Sequence, residues 1–209
     1  MSNCNDGEEK PKIKLILLGD SYVGKTSLIN VTIGKLFNEN EENTIIPSFC
    51  VKQFKINGIS YDLALWDTLG SEKNKSLSKI FFKNAKIAIL VYDITCKDTL
   101  DGLNDWFENL KELEGEEITL GVAGNKSDLY DQEQVSEEEG ENFAKSINAR
   151  FSLTSAKSNP GGFVQFIEQL LIDYIHKEEK VEDNIDDNIS IKLNKKNKNL
   201  KNERKMCSC

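Results

Sequence analysis

Eight consecutive residues constrain this chain more than any others: Gly19-Asp20-Ser21-Tyr22-Val23-Gly24-Lys25-Thr26. They follow an apolar run, Lys12–Leu18, that reads as a strand. They precede a segment from about Lys25 to Lys35 that reads as a helix. The pattern G-x-x-x-x-G-K-[ST] in that setting turns successive backbone N–H groups toward one point, and the helix N-terminus adds its dipole. Such a concavity suits a phosphate. Lys25 then reaches the β/γ-phosphates and the Thr26 hydroxyl faces Mg²⁺. The competing reading is a glycine turn with a solvent lysine, and the strand–turn–helix context weighs against it.

The rest of the chain repeats the strand–helix alternation. Phe49–Ile56 and Ser60–Trp66 flank Asn57-Gly58, a two-residue hairpin signal. Lys86–Tyr92 and Ile118–Ala123 have the length and apolarity of buried parallel strands, and Arg150–Leu153 is a weaker strand. Leu100, Leu103, Phe107 and Leu110 fall on one helical stripe. Ser136 and Glu139 form a capping box, and Phe163, Phe166, Ile167, Leu170, Leu171 and Tyr174 form the last stripe. The expectation is an α/β fold: a mostly parallel sheet with one antiparallel edge strand, helices on both faces, and ligands at the strands' carboxyl ends.

Charge and cysteines narrow the function. The net charge is −8, but the segment Ser190–Cys209 holds seven bases and one acid. That segment is +6, which leaves −14 on the other residues. So acidic a body disfavours a nucleic-acid surface, and RNA binding through the Lys/Asn-rich end is a minor alternative. Five cysteines at 4, 50, 96, 207 and 209 form no C-x-x-C pair, which points to a reducing compartment. The single His176 excludes sites needing several histidines. Polar, acidic Met1–Lys10 reads as neither signal nor transit peptide, and no apolar run reaches the length of a membrane helix. Residues 1–11 and 179–209 are expected to be disordered around a domain spanning 12–178.

Two further motifs carry chemistry. Trp66-Asp67-Thr68-Leu69-Gly70 puts a carboxylate, Asp67, at a strand's carboxyl end, where it can hold Mg²⁺ directly or through water. Gly70 can bring its N–H against a γ-phosphate without a Cβ in the way. Gly124-Asn125-Lys126-Ser127-Asp128 follows a buried strand. Asp128 can accept both N1–H and N2–H₂ of guanine, which adenine cannot offer. Asn125 can bridge neighbouring loops, and the Lys126 stem can lie along a purine face. Ser155-Ala156-Lys157, after the last strand, completes such a pocket.

These elements, in this order and spacing, resemble the Ras-like small GTPases over residues 12–178. Leu90-Val91-Tyr92-Asp93-Ile94-Thr95, the GDSxVGKTSL pattern and Cys207-Ser208-Cys209 are similar to the Rab family within them. The resemblance implies a P-loop G domain with a six-stranded sheet, binding GTP and GDP with Mg²⁺. It implies that Asp20, Ser21, Tyr22, Val23, Gly24, Lys25, Thr26, Ser27 and Gly70 contact phosphates. Asn125, Lys126, Asp128, Ser155, Ala156 and Lys157 surround the base. Thr26, Thr44 and Asp67 serve the metal, with Thr44 also sensing the γ-phosphate. A catalytic set of Ser71, Gly70, Lys25 and Thr44 follows.

The same resemblance implies a monomer that regulates vesicle traffic on the cytoplasmic face of endomembranes, of endosomal type. It implies an exchange factor, an activating protein, a Rab escort protein, a GDP-dissociation inhibitor and effectors meeting two switch segments. Two prenyl groups on Cys207 and Cys209 would supply the membrane anchor.

Three departures matter. The family's WDTAGQE reads here Trp66-Asp67-Thr68-Leu69-Gly70-Ser71-Glu72, so Ser71 replaces the glutamine that orients the attacking water. Slow hydrolysis is expected, with a non-hydrolysing recruitment platform as the alternative. Ile46-Pro47-Ser48 alters the first switch. Tyr22 takes a loop position that is glycine in many relatives, either as a surface ring or as a lid over the phosphates. A P-loop kinase is the remaining competitor; kinases lack the 124–128 base motif.

Overall fold

A computed structural model describes residues 12–39, 41, 44, 48–68, 82–114 and 118–180. The chain divides into two compact units, Met1–Leu171 and Ile172–Cys209. In the second, residues 172–180 are helical.

The first unit is built on β1 (Ile13–Leu18), α1 (Lys25–Thr32), β2 (Ser48–Ile56), β3 (Ile59–Asp67) and β4 (Ile87–Asp93). Then come α2 (Lys97–Asp101), α3 (Leu103–Glu114), β5 (Thr119–Asn125), a 3₁₀ segment (Ser127–Gln132), α4 (Glu137–Ser146), β6 (Arg150–Leu153) and α5 (160–171). The strands form one sheet in the order β2-β3-β1-β4-β5-β6. Only β2 runs antiparallel to its neighbour, as expected for a hairpin at the edge of a parallel sheet. Asn57 (φ 50°) and Gly58 (φ 85°) both adopt the left-handed region, which a two-residue turn matching the strand twist requires.

Central strands are apolar on both sides because helices cover both faces. On one face Ile16, Leu18, Leu90, Tyr92 and Val122 pack with Leu103, Trp106, Leu110 and Ala144 from α3 and α4. On the other, α5 lies so close to β5 that a Cβ on Gly121 would come within 2.7 Å of Leu170 and 2.9 Å of Phe166. Each large side chain fully removed from water there contributes about 1.5–3 kcal/mol before entropy is counted.

Most strand ends shift by one or two residues from those expected, and two helix readings change. The first helix stops at Thr32, not Lys35: Gly34 turns left-handed (φ 88°), and the Thr32 hydroxyl folds back onto the Leu28 carbonyl at 2.7 Å. The stripe Leu100–Leu110 belongs to two helices, α2 and α3, divided at Gly102. Trp106, absent from the expected stripe, is fully buried, whereas Phe107 is only half-buried. The Ser136–Glu139 box forms as read: the Ser136 hydroxyl accepts from Glu139 N–H, and Glu139 accepts from Ser136 N–H.

Candidate functional site

The segments that follow the carboxyl ends of β1, β3, β5 and β6 line a cavity of about 590 Å³, within the range of small-molecule sites. One wall is the 19–24 loop and the start of α1. Gly24 caps that helix in the left-handed region (φ 94°), with no side-chain cap and no acid in the first turn. The helix therefore meets the cavity with its backbone donors and its positive dipole end. Lys25 is buried, and its Nζ donates across the loop to the carbonyls of Gly19 (2.8 Å) and Asp20 (2.9 Å).

Three oxygens gather beside it. Asp67, 3% exposed, accepts on Oδ2 from the hydroxyls of Thr26 (2.7 Å) and Thr44 (3.2 Å), and those two hydroxyls lie 2.6 Å apart. Its Oδ1 is buried without a hydrogen-bond partner among the described residues. Burial raises the Asp67 carboxyl above its ordinary range, against the lowering effects of the Thr26 bond, the Lys25 charge and the Thr44 bond. A buried carboxylate with an unspent oxygen and two adjacent hydroxyls is a hard, all-oxygen donor set, the chemistry Mg²⁺ requires. Thr68 fixes the strand end by donating to the Leu17 carbonyl at 2.7 Å.

Asn125, buried, links three loops: its Nδ2 donates to the Val23 carbonyl at 2.8 Å, and Thr154 donates weakly to its Oδ1 at 3.4 Å. Asp128 accepts from the Ser155 hydroxyl, which in turn accepts from Ser158 N–H at 2.9 Å. Lys126, left-handed at φ 64°, pairs with Asp93 at 2.6 Å. Lys157 pairs with Glu39 across the cavity mouth, which lowers the Glu39 carboxyl and raises the Lys157 ammonium.

Of the expected residues, Ser21, Tyr22, Gly24, Lys25, Thr26 and Ser27 line the cavity from the phosphate-loop side. Thr44, Asn125, Lys126, Asp128, Ala156 and Lys157 line it elsewhere. Four others stand behind the wall, and one is Asp67, whose Oδ2 accepts from the lining hydroxyls of Thr26 and Thr44. The Asp20 carboxylate turns to α3 and accepts from Trp106 Nε1 at 2.9 Å. The Val23 side chain is in the core. Ser155 is buried, and its hydroxyl donates to the lining residue Asp128. The Tyr22 ring is 73% exposed at the rim, on left-handed backbone (φ 67°). Gly70, Ser71, the Ile46-Pro47 segment, Cys207 and Cys209 lie outside the described residues.

Phe37 also lines the cavity, an aromatic ring suited to a flat ligand, and the motif reading missed it. Its one signal was an isolated aromatic just past the end of the first helix. Away from the cavity, Phe49 (59% exposed) stacks on Trp66 at 5.0 Å, with Lys14 Nζ 4.4 Å from the Trp66 ring centre.

The family model described as Ras family matches residues 14–177. The human protein named Ras-related protein Rab-21 is 40% identical over 77% of this chain and 69% of its own length. Ras-related protein Rab-2B of Dictyostelium discoideum is 35% identical over 76% of this chain and 84% of its own. A phosphate-loop helix, a buried magnesium-type carboxylate and a base-type pocket on a six-stranded G-domain sheet agree with that match, and the chain belongs to the Rab family of Ras-like small GTPases.

Proposed function

We propose that the cavity holds GTP or GDP with Mg²⁺ and that this chain is a traffic switch whose own hydrolysis is slow. The observation that carries it is the meeting, on one cavity, of Lys25, the Thr26 and Thr44 hydroxyls with Asp67 bonded behind them, and the Asn125–Asp128 segment. Lys25 and the α1 N-terminus bind the phosphates. Thr26, Thr44 and Asp67 hold the cation, which neutralises phosphate charge when bound. Asp128 reads the guanine edge, Lys126, Lys157 and Phe37 flank the ring, and Asn125 ties the loops together.

The Thr44 contact with Asp67 couples the first switch segment to the metal carboxylate. Ser71 is too short to orient a water as glutamine does, so turnover is governed by an arginine supplied from a partner. The exposed Phe49 ring beside Trp66 supports effector docking on the β2–β3 edge. Prenyl groups on Cys207 and Cys209, with the +6 segment before them, hold the protein on the cytoplasmic face of endomembranes.

The test is nucleotide extraction from the purified protein, then single-turnover phosphate release. Guanine nucleotide with little ATP is expected. The rate should be at least about 10-fold below that of a glutamine-bearing relative, a barrier difference of about 1.4 kcal/mol, and Ser71→Gln should restore part of it. Equal binding of ATP ends the guanine reading. A Ser71→Gln variant no faster, with or without an activating partner, ends the account of Ser71. No release from either protein favours the recruitment platform.

A further inference from the structure

Asp93 ends β4 in direct register with Asn125 at the end of β5, so the next residue along β5, Lys126, leaves the sheet beside it. The Asp93 carboxylate is only 10% exposed, and both of its oxygens are engaged. Oδ1 accepts from the N–H of Thr95 at 2.9 Å and from the Thr95 hydroxyl at 2.7 Å. Oδ2 meets Lys126 Nζ at 2.6 Å. The Asp93 backbone is fixed as well, its N–H donating to the Thr99 hydroxyl at 3.0 Å. A rigid acceptor therefore awaits the lysine head.

Lys126 sits at φ 64°, ψ 32°, the left-handed region that residues other than glycine adopt only rarely. With its Cα fixed by that turn and its ammonium fixed by Asp93, the four methylenes between them have little freedom. Lys126 lines the cavity, whereas Asp93 does not. The charge is thus drawn behind the wall and the apolar stem is left as its surface.

We propose that Asp93 is a positioning residue for the nucleotide base: it anchors the Lys126 ammonium so that the stem forms a flat apolar wall for the purine. The proposal rests on the guanine-nucleotide reading of the cavity. A released lysine would carry its ammonium to water, and the base would lose that wall. Packing against a stem depends on ring area and not on ring substituents. Asp128, by contrast, reads the exocyclic amine that separates guanine from hypoxanthine.

The experiment uses the full chain loaded with GDP or IDP and measures nucleotide release for the parent, Asp93→Asn, Lys126→Met and the double variant. Asp93→Asn should release both nucleotides about 10-fold faster, leave the GDP-to-IDP rate ratio unchanged, and add nothing on the Lys126→Met background. Parental rates, a changed GDP-to-IDP ratio, or the same acceleration repeated on Lys126→Met each overturn it. Should Asp93→Asn not fold, Thr95→Val loosens the carboxylate from its far side. It should speed release about 2- to 3-fold with Lys126 present and not at all on the Lys126→Met background; equal effects in both backgrounds overturn the proposal. A parent that holds no GDP removes the cavity reading and this proposal together. A parent that holds GDP beside an unaffected Asp93→Asn variant removes only this one.

Discussion

Gly24 and Gly58 share a left-handed backbone but differ in what surrounds them. A Cβ on Gly24 (φ 94°) would sit 2.4 Å from Asn125 Nδ2, the atom that bonds the Val23 carbonyl. A Cβ on Gly58 (φ 85°) would meet nothing within 4 Å. Gly58→Ala should therefore cost only the backbone conformation, about 1 kcal/mol, or a Tm lower by about 2–4 °C, with nucleotide affinity unchanged. Gly24→Ala adds the collision with a buried amide and should lose about 2–4 kcal/mol, along with more than 10-fold in nucleotide affinity. Thermal unfolding and nucleotide titration of both variants check this. Equal losses would mean that Asn125 yields and that the three-loop tie is not rigid. The same close contact explains why the 19–26 pattern is so informative in the bare sequence: its glycine spacing records contacts as well as turns.

At the level of elements, α4 begins with a titratable clamp. Glu139 receives Lys97 Nζ at 2.8 Å, then the Ser136 N–H and hydroxyl, and in that order these bring its carboxyl down to about 2. A carboxyl lowered by folding adds stability that is complete above its unfolded value near 4.5 and is lost as pH falls from there toward about 2. The Tm gap between the parent and Glu139→Gln should thus be open at pH 6 and close progressively below pH 4.5. A gap that stays constant to pH 2.5 would contradict it.

This box was legible in the sequence because its partners are three residues apart, and the 57–58 turn was legible for the same reason. The division of the stripe at Gly102 was not, since Gly102 keeps right-handed helical angles (φ −69°, ψ −17°) and leaves the apolar spacing intact. Trp106 went unread because its polar edge is satisfied only by Asp20, a partner 86 positions away. The Asp93–Lys126 pair depends on the β4–β5 register, which no local pattern encodes. Strands, turns and the phosphate loop could be read one segment at a time; the base pocket needs the strand order.

For the whole molecule, positive charge is concentrated at one end of the sequence, with −14 on the residues before Ser190 and +6 from there to Cys209. Cys207→Ser combined with Cys209→Ser should leave GDP binding at the parental level and move the protein from the membrane pellet to the supernatant of lysed cells. A double variant that still pellets, beside a parent free of lipid by mass spectrometry, would remove the anchor from this account. The Glu39–Lys157 pair has a different reach. It joins positions 118 apart, across the mouth of the cavity, with both side chains more than half exposed. Such a pair adds little to folding stability. Its expected effect, like a drawbridge's, is on when a bound molecule leaves and not on whether the chain folds. Ionic strength then becomes a throttle: as salt rises from about 0.01 M to about 1 M, the screening length shrinks from about 30 Å to about 3 Å. GDP release should quicken over that range, and Glu39→Gln should flatten the dependence. A variant as salt-sensitive as the parent would mean that the pair does not time release, and a flattened one that the salt of the surrounding fluid reaches the cavity through these two side chains.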